Sequence, residues 1–242
     1  MKLYSSNWSL SLDLNGGRIK ELSYKEVKVF GTYTRIDGKV GNTHLCIPSF
    51  DKEGQEKYNL PFHGLVRAIP WTVKNKSDGS VVISCKTIAS NNYPAELSIE
   101  QEFTLEKQFT HAIRVHHLNG SDVPLNIGVH YYWDTSQGWE GTVVNSQQSA
   151  ASIKSNGYCK LNEINTITFP HASYELTSVG LHSAALWTSF KTDEAGGKLY
   201  SQDFCCIEPV IGWPGYFGSE KSMLREGEQK TVVISIKPPN GD

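Results

Sequence analysis

Residues 125–134 read LNIGVHYYWD, a stretch in which large apolar side chains alternate with polar or small ones. A period of two places every second side chain on the same face of a β-strand. One face carries the apolar set, which is Leu125, Ile127, Val129, Tyr131 and Trp133. The other face carries His130 between Gly128 and Tyr132, so we predict a strand that presents His130 to a ligand. The alternative, in which His130 only lines a solvated sheet face, stays open because a single histidine is weak evidence.

The same period of two recurs along the chain between short turn signals. Residues 8–14 alternate in this way and end at the turn residues Asn15-Gly16-Gly17, and further strands are predicted at 27–30 and 81–87. Residues 97–105 contain good helix formers, but their large apolar side chains share one side only with a period of two. We therefore predict a strand there as well. No apolar pattern with the 3.6-residue period persists long enough for a full helix.

The organisation of the chain favours one domain. No internal repeat, low-complexity tract or linker divides the 242 residues, and turn signals recur throughout. Sandwiches and barrels of this length often form a single unit, so we predict one all-β domain over residues 1–242. The simplest arrangement is a large antiparallel sandwich with one sheet face inside and the other partly open to solvent.

Composition excludes several classes of partner. The chain is 38% hydrophobic and 20% charged with a net charge of -2, so it lacks the basic excess of a nucleic-acid-binding protein. We expect no membrane partner and a cytoplasmic location, because neither a secretory signal nor a run that spans a bilayer is visible. The five cysteines form an odd set without a Cys-x-x-Cys pair, which predicts free thiols, no disulfide and no zinc site.

Residues 204–215 read FCCIEPVIGWPG and place one carboxylate, Glu208, inside an apolar, β-prone run. Desolvation raises the pKa of a carboxyl group toward the range in which it can accept a proton as a base. Proline and glycine follow, so Glu208 is expected near the end of a strand, where a side chain can face a cleft. A buried ion pair with an arginine, or an edge strand facing water, remains an alternative.

A third stretch, residues 60–71, reads LPFHGLVRAIPW and brings His63 and Arg67 into a loop bounded by prolines. Rigid loops often hold binding groups, and Arg67 can pair with a carboxylate or hold a hydroxyl. A surface loop in which Arg67 forms an ordinary salt bridge is the alternative.

Three motifs in order carry a family resemblance: His63-Gly64-x-x-Arg67, then His130-Tyr131-Tyr132-Trp133, then Glu208-Pro209. Together with the tail Leu224-Arg225-Glu226-Gly227-Glu228 before a last strand, they resemble the aldose 1-epimerase (galactose mutarotase-like) family. The resemblance covers residues 16–236.

The resemblance implies a β-supersandwich with an open cleft on its concave sheet. It implies an isomerase that interconverts the α and β anomers of a free aldose. We expect no cofactor and no metal, because the sequence shows no Gly-rich phosphate loop and no cluster of metal-ligating residues. By motif, Glu208 is the general base and His130 the general acid, while His63 and Arg67 bind sugar hydroxyls. Tyr132, which can stack and hydrogen-bond, joins the substrate-binding set. The expected partner is a small sugar, and the expected state is a monomer or a weak dimer.

The chain departs from the family pattern at two places. A substrate-binding aspartate is usual between the His and Glu motifs, but Asp193 and Asp203 are placed differently here. The subgroup that acts on hexose 6-phosphates tends to show Arg-Gly-Gly where this chain has Val40-Gly41-Asn42, so a neutral aldose is the expected substrate.

The same motifs are compatible with other functions. A hexose-6-phosphate mutarotase, a non-catalytic carbohydrate-binding protein on the same scaffold and a domain acting on an unusual sugar substituent all stay open. A glycosidase is disfavoured because it needs two carboxylates flanking one bond. A metal site at His116-His117 is disfavoured because adjacent strand residues point to opposite faces.

Overall fold

The computed structural model describes residues 1–136, 138–148 and 150–238, without the side chains of residues 155 and 156. Within these residues the chain forms 24 strands, two short α-helices and two 3-10 helices. The first twelve strands are β1 (Lys2–Tyr4), β2 (Trp8–Asp13), β3 (Arg18–Tyr24), β4 (Val27–Phe30), β5 (Tyr33–Thr34), β6 (Val40–Gly41), β7 (His44–Cys46), β8 (Thr72–Ser77), β9 (Ser80–Lys86), β10 (Ala95–Leu105), β11 (Phe109–Gly120) and β12 (Val123–Pro124). The others are β13 (Gly128–Asp134), β14 (Val143–Val144), β15 (Gln147–Gln148), β16 (Cys159–Leu161), β17 (Thr166–Thr168), β18 (Ser173–Val179), β19 (Ser183–Trp187), β20 (Phe190–Thr192), β21 (Lys198–Tyr200), β22 (Phe204–Val210), β23 (Met223–Leu224) and β24 (Gln229–Ile236). The α-helices are α1 (Glu53–Tyr58) and α2 (Ala150–Asn156), and the 3-10 helices span Val66–Ala68 and Glu220–Ser222.

Most of the strands belong to two antiparallel sheets. In the described residues the first sheet has nine strands in the order β1-β2-β3-β4-β13-β22-β19-β16, with β7 paired to β13 beside β4. The second sheet also has nine, in the order β15-β14-β17-β18-β24-β11-β10-β9-β8. The predicted all-β sandwich is confirmed.

Aromatic side chains fill the space between the two sheets. Phe30 of β4 lies with its ring centre 6.1 Å from that of Phe109 of β11, and it stacks on Tyr131 at 4.6 Å. Trp133 meets Phe30 edge-on at 4.7 Å. These rings are fully buried, and each large aromatic side chain removes about 150–250 Å² of surface from water. The apolar face predicted for β13 is therefore the face that packs into the core.

The ambiguous segment at 97–105 lies within β10, whose side chains alternate between buried and half-buried positions. The period of two thus outweighs the helix propensity of its Glu, Gln and Leu residues, because a strand at this place buries every apolar side chain. The predicted strand at 27–30 coincides with β4.

The prediction for residues 125–134 is wrong at its start, since the strand begins at Gly128. Leu125 and Asn126 instead donate their backbone N–H groups to Ser222 and Pro48, which lie outside the two sheets. The expectation that one face is partly open is also wrong for this strand, where residues from Gly128 to Trp133 are all buried. On the face of β13 away from the core, the ring of Phe50 from a connecting segment lies over Gly128.

No helix in the described part of the chain is long and apolar enough to cross a membrane.

Candidate active site

The site is built by a row of side chains across four neighbouring strands of the first sheet. The register of β7 and β13 places His44 directly opposite His130. The register that pairs Tyr131 with Ile207 places Glu208 on the other side of His130, and Glu208 is opposite Ala185 of β19. The row His44, His130, Glu208 and Ala185 therefore lies on the face of the sheet that points away from the core.

His130 and Glu208 form a close pair in this row. The Nε2 atom of His130 lies 3.3 Å from Oε1 of Glu208, and the side chains are each only 6% exposed. The Nδ1 atom of His130 is buried and makes no hydrogen bond within the described residues. The two side chains thus contact each other, and Nδ1 of His130 keeps hydrogen-bonding capacity that the described residues do not use.

Burial changes the protonation of both groups. It raises the pKa of Glu208 to about 8, because the carboxylate loses hydration that the described residues do not replace with an opposite charge. Burial also holds the pKa of His130 well below its usual value, and the neighbouring His44 and His63 add to this effect. At neutral pH the pair therefore holds one proton, placed on Glu208, and His130 is neutral.

Aromatic rings hold His130 in place. Its ring stacks between those of His44, at 4.8 Å, and Tyr132, at 5.0 Å. Trp187 of β19 and His63 meet it edge-on at 5.9 and 5.1 Å. A ring packed on four sides has little rotational freedom, so the position of Nε2 relative to Glu208 is fixed by packing.

His63 reaches the site from a tight turn. His63 and Gly64 both have a positive φ, of 63° and 75°. A Cβ atom at Gly64 would lie 2.1 Å from the carbonyl oxygen of Ile47, so only glycine fits there. Nδ1 of His63 donates to the carbonyl of Phe50 at 2.7 Å. Burial lowers the pKa of His63 to about 4, so this imidazole is also neutral near pH 7.

A cavity of about 240 Å³ opens over the pair. Four of its lining residues come from strands, namely His130, Ala185, Trp187 and Glu208. The others, which include Arg35, Phe50, Asp51, His63 and Trp213, come from segments that connect strands. Its volume is below the range of about 300–1,000 Å³ that holds drug-sized ligands, so it suits a smaller molecule.

The structure brings together three of the five residues predicted for the site, since His63, His130 and Glu208 all line the cavity. Arg67 lies outside the lining, half-buried in the 3-10 helix Val66–Ala68, although its charge contributes to the lowered pKa of His63. Tyr132 also lies outside the lining. It packs beside His130, with its ring stacked on the imidazole, and belongs to a buried cluster with Phe204 and Cys206.

Several lining residues were missed by the sequence analysis. Asp51 lines the cavity and accepts a hydrogen bond from Nε1 of Trp213. Arg35 lies over the ring of Trp187 at 5.1 Å and pairs with Asp37 at 2.8 Å. Asp193, which the sequence places differently from the family's aspartate, accepts hydrogen bonds from the N–H groups of Ala195 and Gly197 within its own turn. Trp187 differs from these residues in lying on a strand, β19, which pairs with the strand of Glu208.

A larger groove of about 830 Å³ lies on the second sheet. Its carboxylates, Glu106 and Glu175, are exposed, and Glu175 pairs with Lys237 at 2.6 Å. Solvated, paired charges of this kind are typical of an ordinary surface, so the smaller cavity is the better candidate for chemistry.

Comparisons with known proteins bear on the family and on the fold. Residues 23–205 match the family model described as aldose 1-epimerase. No curated protein matches the sequence. Among solved structures, a galactose mutarotase-like protein from Lactobacillus casei is similar over 98% of this chain and 99% of its own, with a TM-score of 0.76 at 16% identity.

Two further structures show the same fold. A galactose mutarotase related enzyme from Lactobacillus acidophilus is similar over 98% of this chain and 96% of its own, with a TM-score of 0.75 at 11% identity. A galactose mutarotase-like protein from Clostridium acetobutylicum is similar over 97% of this chain and 93% of its own, with a TM-score of 0.71 at 13% identity.

Proposed function

The chain belongs to the aldose 1-epimerase family, and we propose that it is a mutarotase that interconverts the α and β anomers of a free aldose. The observation that carries the proposal is the His130–Glu208 pair, which faces a small cavity and holds one proton between its two members. Opening the sugar ring removes a proton from the anomeric hydroxyl and delivers one to the ring oxygen. The reaction therefore needs one group with a proton to give and one group able to take a proton.

We assign the role of general base to Glu208 and that of general acid to His130. In the sugar-free protein the proton lies on Glu208, so this assignment requires it to pass to His130 over the 3.3 Å contact when the sugar enters. Glu208 then takes the anomeric proton, His130 protonates the ring oxygen, and the ring C–O bond breaks. The open-chain aldehyde rotates and recloses on its other face, which restores both protons.

The rest of the cavity offers the contacts that a sugar needs. Trp187 and Trp213 present aromatic surface for the apolar face of a pyranose ring. Neutral His63 has its Nδ1–H on the Phe50 carbonyl, so its Nε2 is left as an acceptor for a hydroxyl. His63→Ala should therefore raise KM more than it lowers kcat. In this proposal Arg67 and Tyr132 do not contact the sugar. Arg67 acts through its charge, and Tyr132 holds the ring of His130 in place.

Polarimetry tests the function directly. Freshly dissolved α-D-glucose and α-D-galactose are followed to equilibrium with and without protein, and faster mutarotation of either sugar is the expected result. If both sugars bind, as shown by calorimetry, yet neither rate changes, the protein is a carbohydrate-binding protein on this scaffold and the proposal is wrong.

A neutral aldose is the proposed substrate, with a hexose 6-phosphate as the second candidate. Arg35 favours the second candidate because it places a cation at the cavity. However, Asp37 offsets that charge, and Asn42 accepts a hydrogen bond from Arg18 at 3.2 Å instead of facing a ligand as a cation would. Anomer-exchange NMR gives kcat/KM for glucose and glucose 6-phosphate. A tenfold preference for the phosphate, about 1.4 kcal/mol, would overturn the neutral substrate.

We also propose that catalysis needs no cofactor or metal, because His130 and Glu208 can move both protons. Dialysis against EDTA should leave the rate unchanged or higher. A loss of rate that one divalent ion restores would contradict this. A single domain over residues 1–242, a monomer or weak dimer and a cytoplasmic location stay predictions.

A further inference from the structure

A second group of buried side chains lies beside the pair, on the other side of His130. His44 and Cys46 are two residues apart on β7, so both point to the same face of the sheet. His63 joins them from its turn, with Nδ1 at 3.3 Å from Sγ of Cys46. One potential metal-ligating atom from each of the three residues lies within 4.8 Å of the others.

The two imidazoles are each held by a backbone carbonyl, as metal-binding histidines often are. Nδ1 of His44 lies 2.8 Å from the carbonyl oxygen of Asn42, and because a carbonyl only accepts, this nitrogen carries the hydrogen. Nδ1 of His63 donates to the Phe50 carbonyl in the same way. Each ring therefore keeps a lone pair on Nε2, although for His63 the nitrogen that now lies nearest to Sγ of Cys46 is Nδ1. A carbonyl that holds the opposite nitrogen is the usual outer support of a metal-binding histidine.

The lone pair on Nε2 of His44 is available for a ligand as far as the described residues show. Nε2 of His44 is buried and has no hydrogen-bond partner among the residues that the structure describes. The side chain is 6% exposed, so water does not readily satisfy it. A buried polar atom without a partner is costly, and a cation next to it removes that cost.

We propose that His44, Cys46 and His63 form a binding site for a thiophilic divalent metal ion of the Zn²⁺ class. Zinc bonds of about 2.0–2.1 Å to nitrogen and about 2.3 Å to sulfur place the ligand atoms about 3.5 Å apart, so the three donor atoms must draw together and the ring of His63 must shift to present Nε2 toward Cys46. Binding forms a metal–sulfur bond and releases the thiol proton of Cys46 to solvent. The fourth position faces the cavity that His63 lines and is filled by water.

A neighbouring trio, His130, Cys206 and Glu208, also brings its potential ligand atoms within 4.8 Å. There, however, the histidine and the carboxyl already contact each other at 3.3 Å, and a metal would have to replace that contact. The trio with the unpartnered His44 nitrogen is therefore the preferred site. The second trio is the specific competitor that an experiment must exclude.

A metal at this site should also inhibit the enzyme, and this consequence rests on the proposed mutarotase function. The ion holds His63 and occupies the side of the cavity where that imidazole would meet a sugar hydroxyl. Zn²⁺ is therefore an inhibitor of mutarotation that competes with the sugar, and EDTA relieves the inhibition. Metal binding itself does not depend on the mutarotase activity and is measured separately.

Cadmium is a suitable probe, because a Cd²⁺–thiolate bond has its own charge-transfer absorption in the ultraviolet. The wild-type protein is expected to show this band with one ion bound per chain, and Zn²⁺ should displace the cadmium. Cys46→Ser should remove the band and weaken Zn²⁺ binding in calorimetry at least about a hundredfold, the upper end of what loss of an outer support alone costs. Cys205→Ser is the matched control, since Cys205 is equally buried but points into the core.

His44→Gln is the second variant, because glutamine keeps a donor for the Asn42 carbonyl while losing the imidazole nitrogen. It should weaken Zn²⁺ binding and keep the melting temperature of the metal-free protein within a few degrees. The proposal is overturned if the wild type shows no thiolate band, if Cys46→Ser or His44→Gln binds Zn²⁺ as the wild type does, or if Cys206→Ser removes the band instead.

Discussion

His111 and His130 are both buried histidines on neighbouring layers of the same sandwich, yet their surroundings differ in a way that separates structure from chemistry. His111 has both ring nitrogens bonded, Nδ1 to the hydroxyl of Tyr131 at 2.9 Å and Nε2 to Oε1 of Gln101 at 3.0 Å. Gln101 in turn donates to the carbonyl of Gly17 at 2.8 Å, and this bond completes the hydrogen-bond network. Every member of this network is satisfied within the protein.

His130 is buried to a similar degree, but among the described residues only its Nε2 has a polar partner, and that partner is a carboxyl group with a pKa of about 8. Burial lowers the pKa of both histidines, to about 3 for His111. A lowered pKa therefore does not identify a functional histidine. The distinguishing features of His130 are unused hydrogen-bonding capacity, a titratable partner and access to a cavity.

The sharpest test of this difference is the removal of each proton carrier. Glu208→Gln and His130→Asn keep the approximate shape but remove proton transfer, which contributes about 10² to 10⁴ in rate. Each variant should lose that factor in kcat, with an unchanged circular dichroism spectrum. His111→Gln is the matched control and should keep its activity per folded molecule. Near wild-type rates in either active-site variant would contradict the role given to that residue.

Substitutions at His111 and His130 should affect the free energy of unfolding in the opposite order, with the larger loss at His111. His111→Leu leaves the Tyr131 hydroxyl and the Gln101 oxygen buried without partners, at a cost of about 1–3 kcal/mol each. We expect a loss of about 2–4 kcal/mol in the free energy of unfolding, measured with urea. His130→Leu should cost clearly less, because its surroundings face a cavity that water can enter. Equal losses would mean that His130 is a structural residue like His111.

The pH dependence of activity should identify the single shared proton. The active pair holds one proton, which leaves with the pKa of Glu208, about 8. We expect kcat/KM to be level near neutral pH and to fall about tenfold per pH unit above 8. The acid limb should lie well below pH 6.5, because the pKa of His130 is lowered. A rate that continues to rise above pH 8 would show that a free carboxylate alone is sufficient.

The pH dependence of stability gives the smallest effect. Glu208 has a raised pKa in the folded state, so its contribution is present at low pH and is lost as pH rises through about 8. Between pH 7 and 8 the folded pair binds more protons than the unfolded chain, and the wild type should lose about 1 kcal/mol.

Glu208→Gln should not show this alkaline loss in urea unfolding at the two pH values. Buried histidines, among them His63, His111 and His130, act in the other direction, because their lowered pKa values make their contribution disappear as pH falls below about 6.5, the ordinary value. A third measurement below pH 6.5 should show this acid loss in both proteins, which makes it an internal control.

Much of this site was predictable from the sequence because it is carried by regular strands. The alternation around His130 and the apolar setting of Glu208 follow from local pattern, and antiparallel pairing then places the two side chains together. Asp51 and Arg35 gave no such signal, since their approach to the cavity depends on how connecting segments fold over the sheet. The His44-x-Cys46 spacing was readable on a strand, but its meaning required His63, whose position depends on the left-handed turn at Gly64.

The division of the cavity lining between strands and connecting segments has a consequence for how this protein can change. His130 and Glu208, the groups proposed to transfer protons, are fixed by a ladder of backbone hydrogen bonds, whereas Arg35, Asp51 and Trp213 stand on segments that can be lengthened or replaced without disturbing that ladder. For the proposed mutarotase, new sugar preferences are therefore accessible by exchanging loops alone. In a directed-evolution library, mutations confined to those segments should yield altered substrate choice at little cost to the reaction itself.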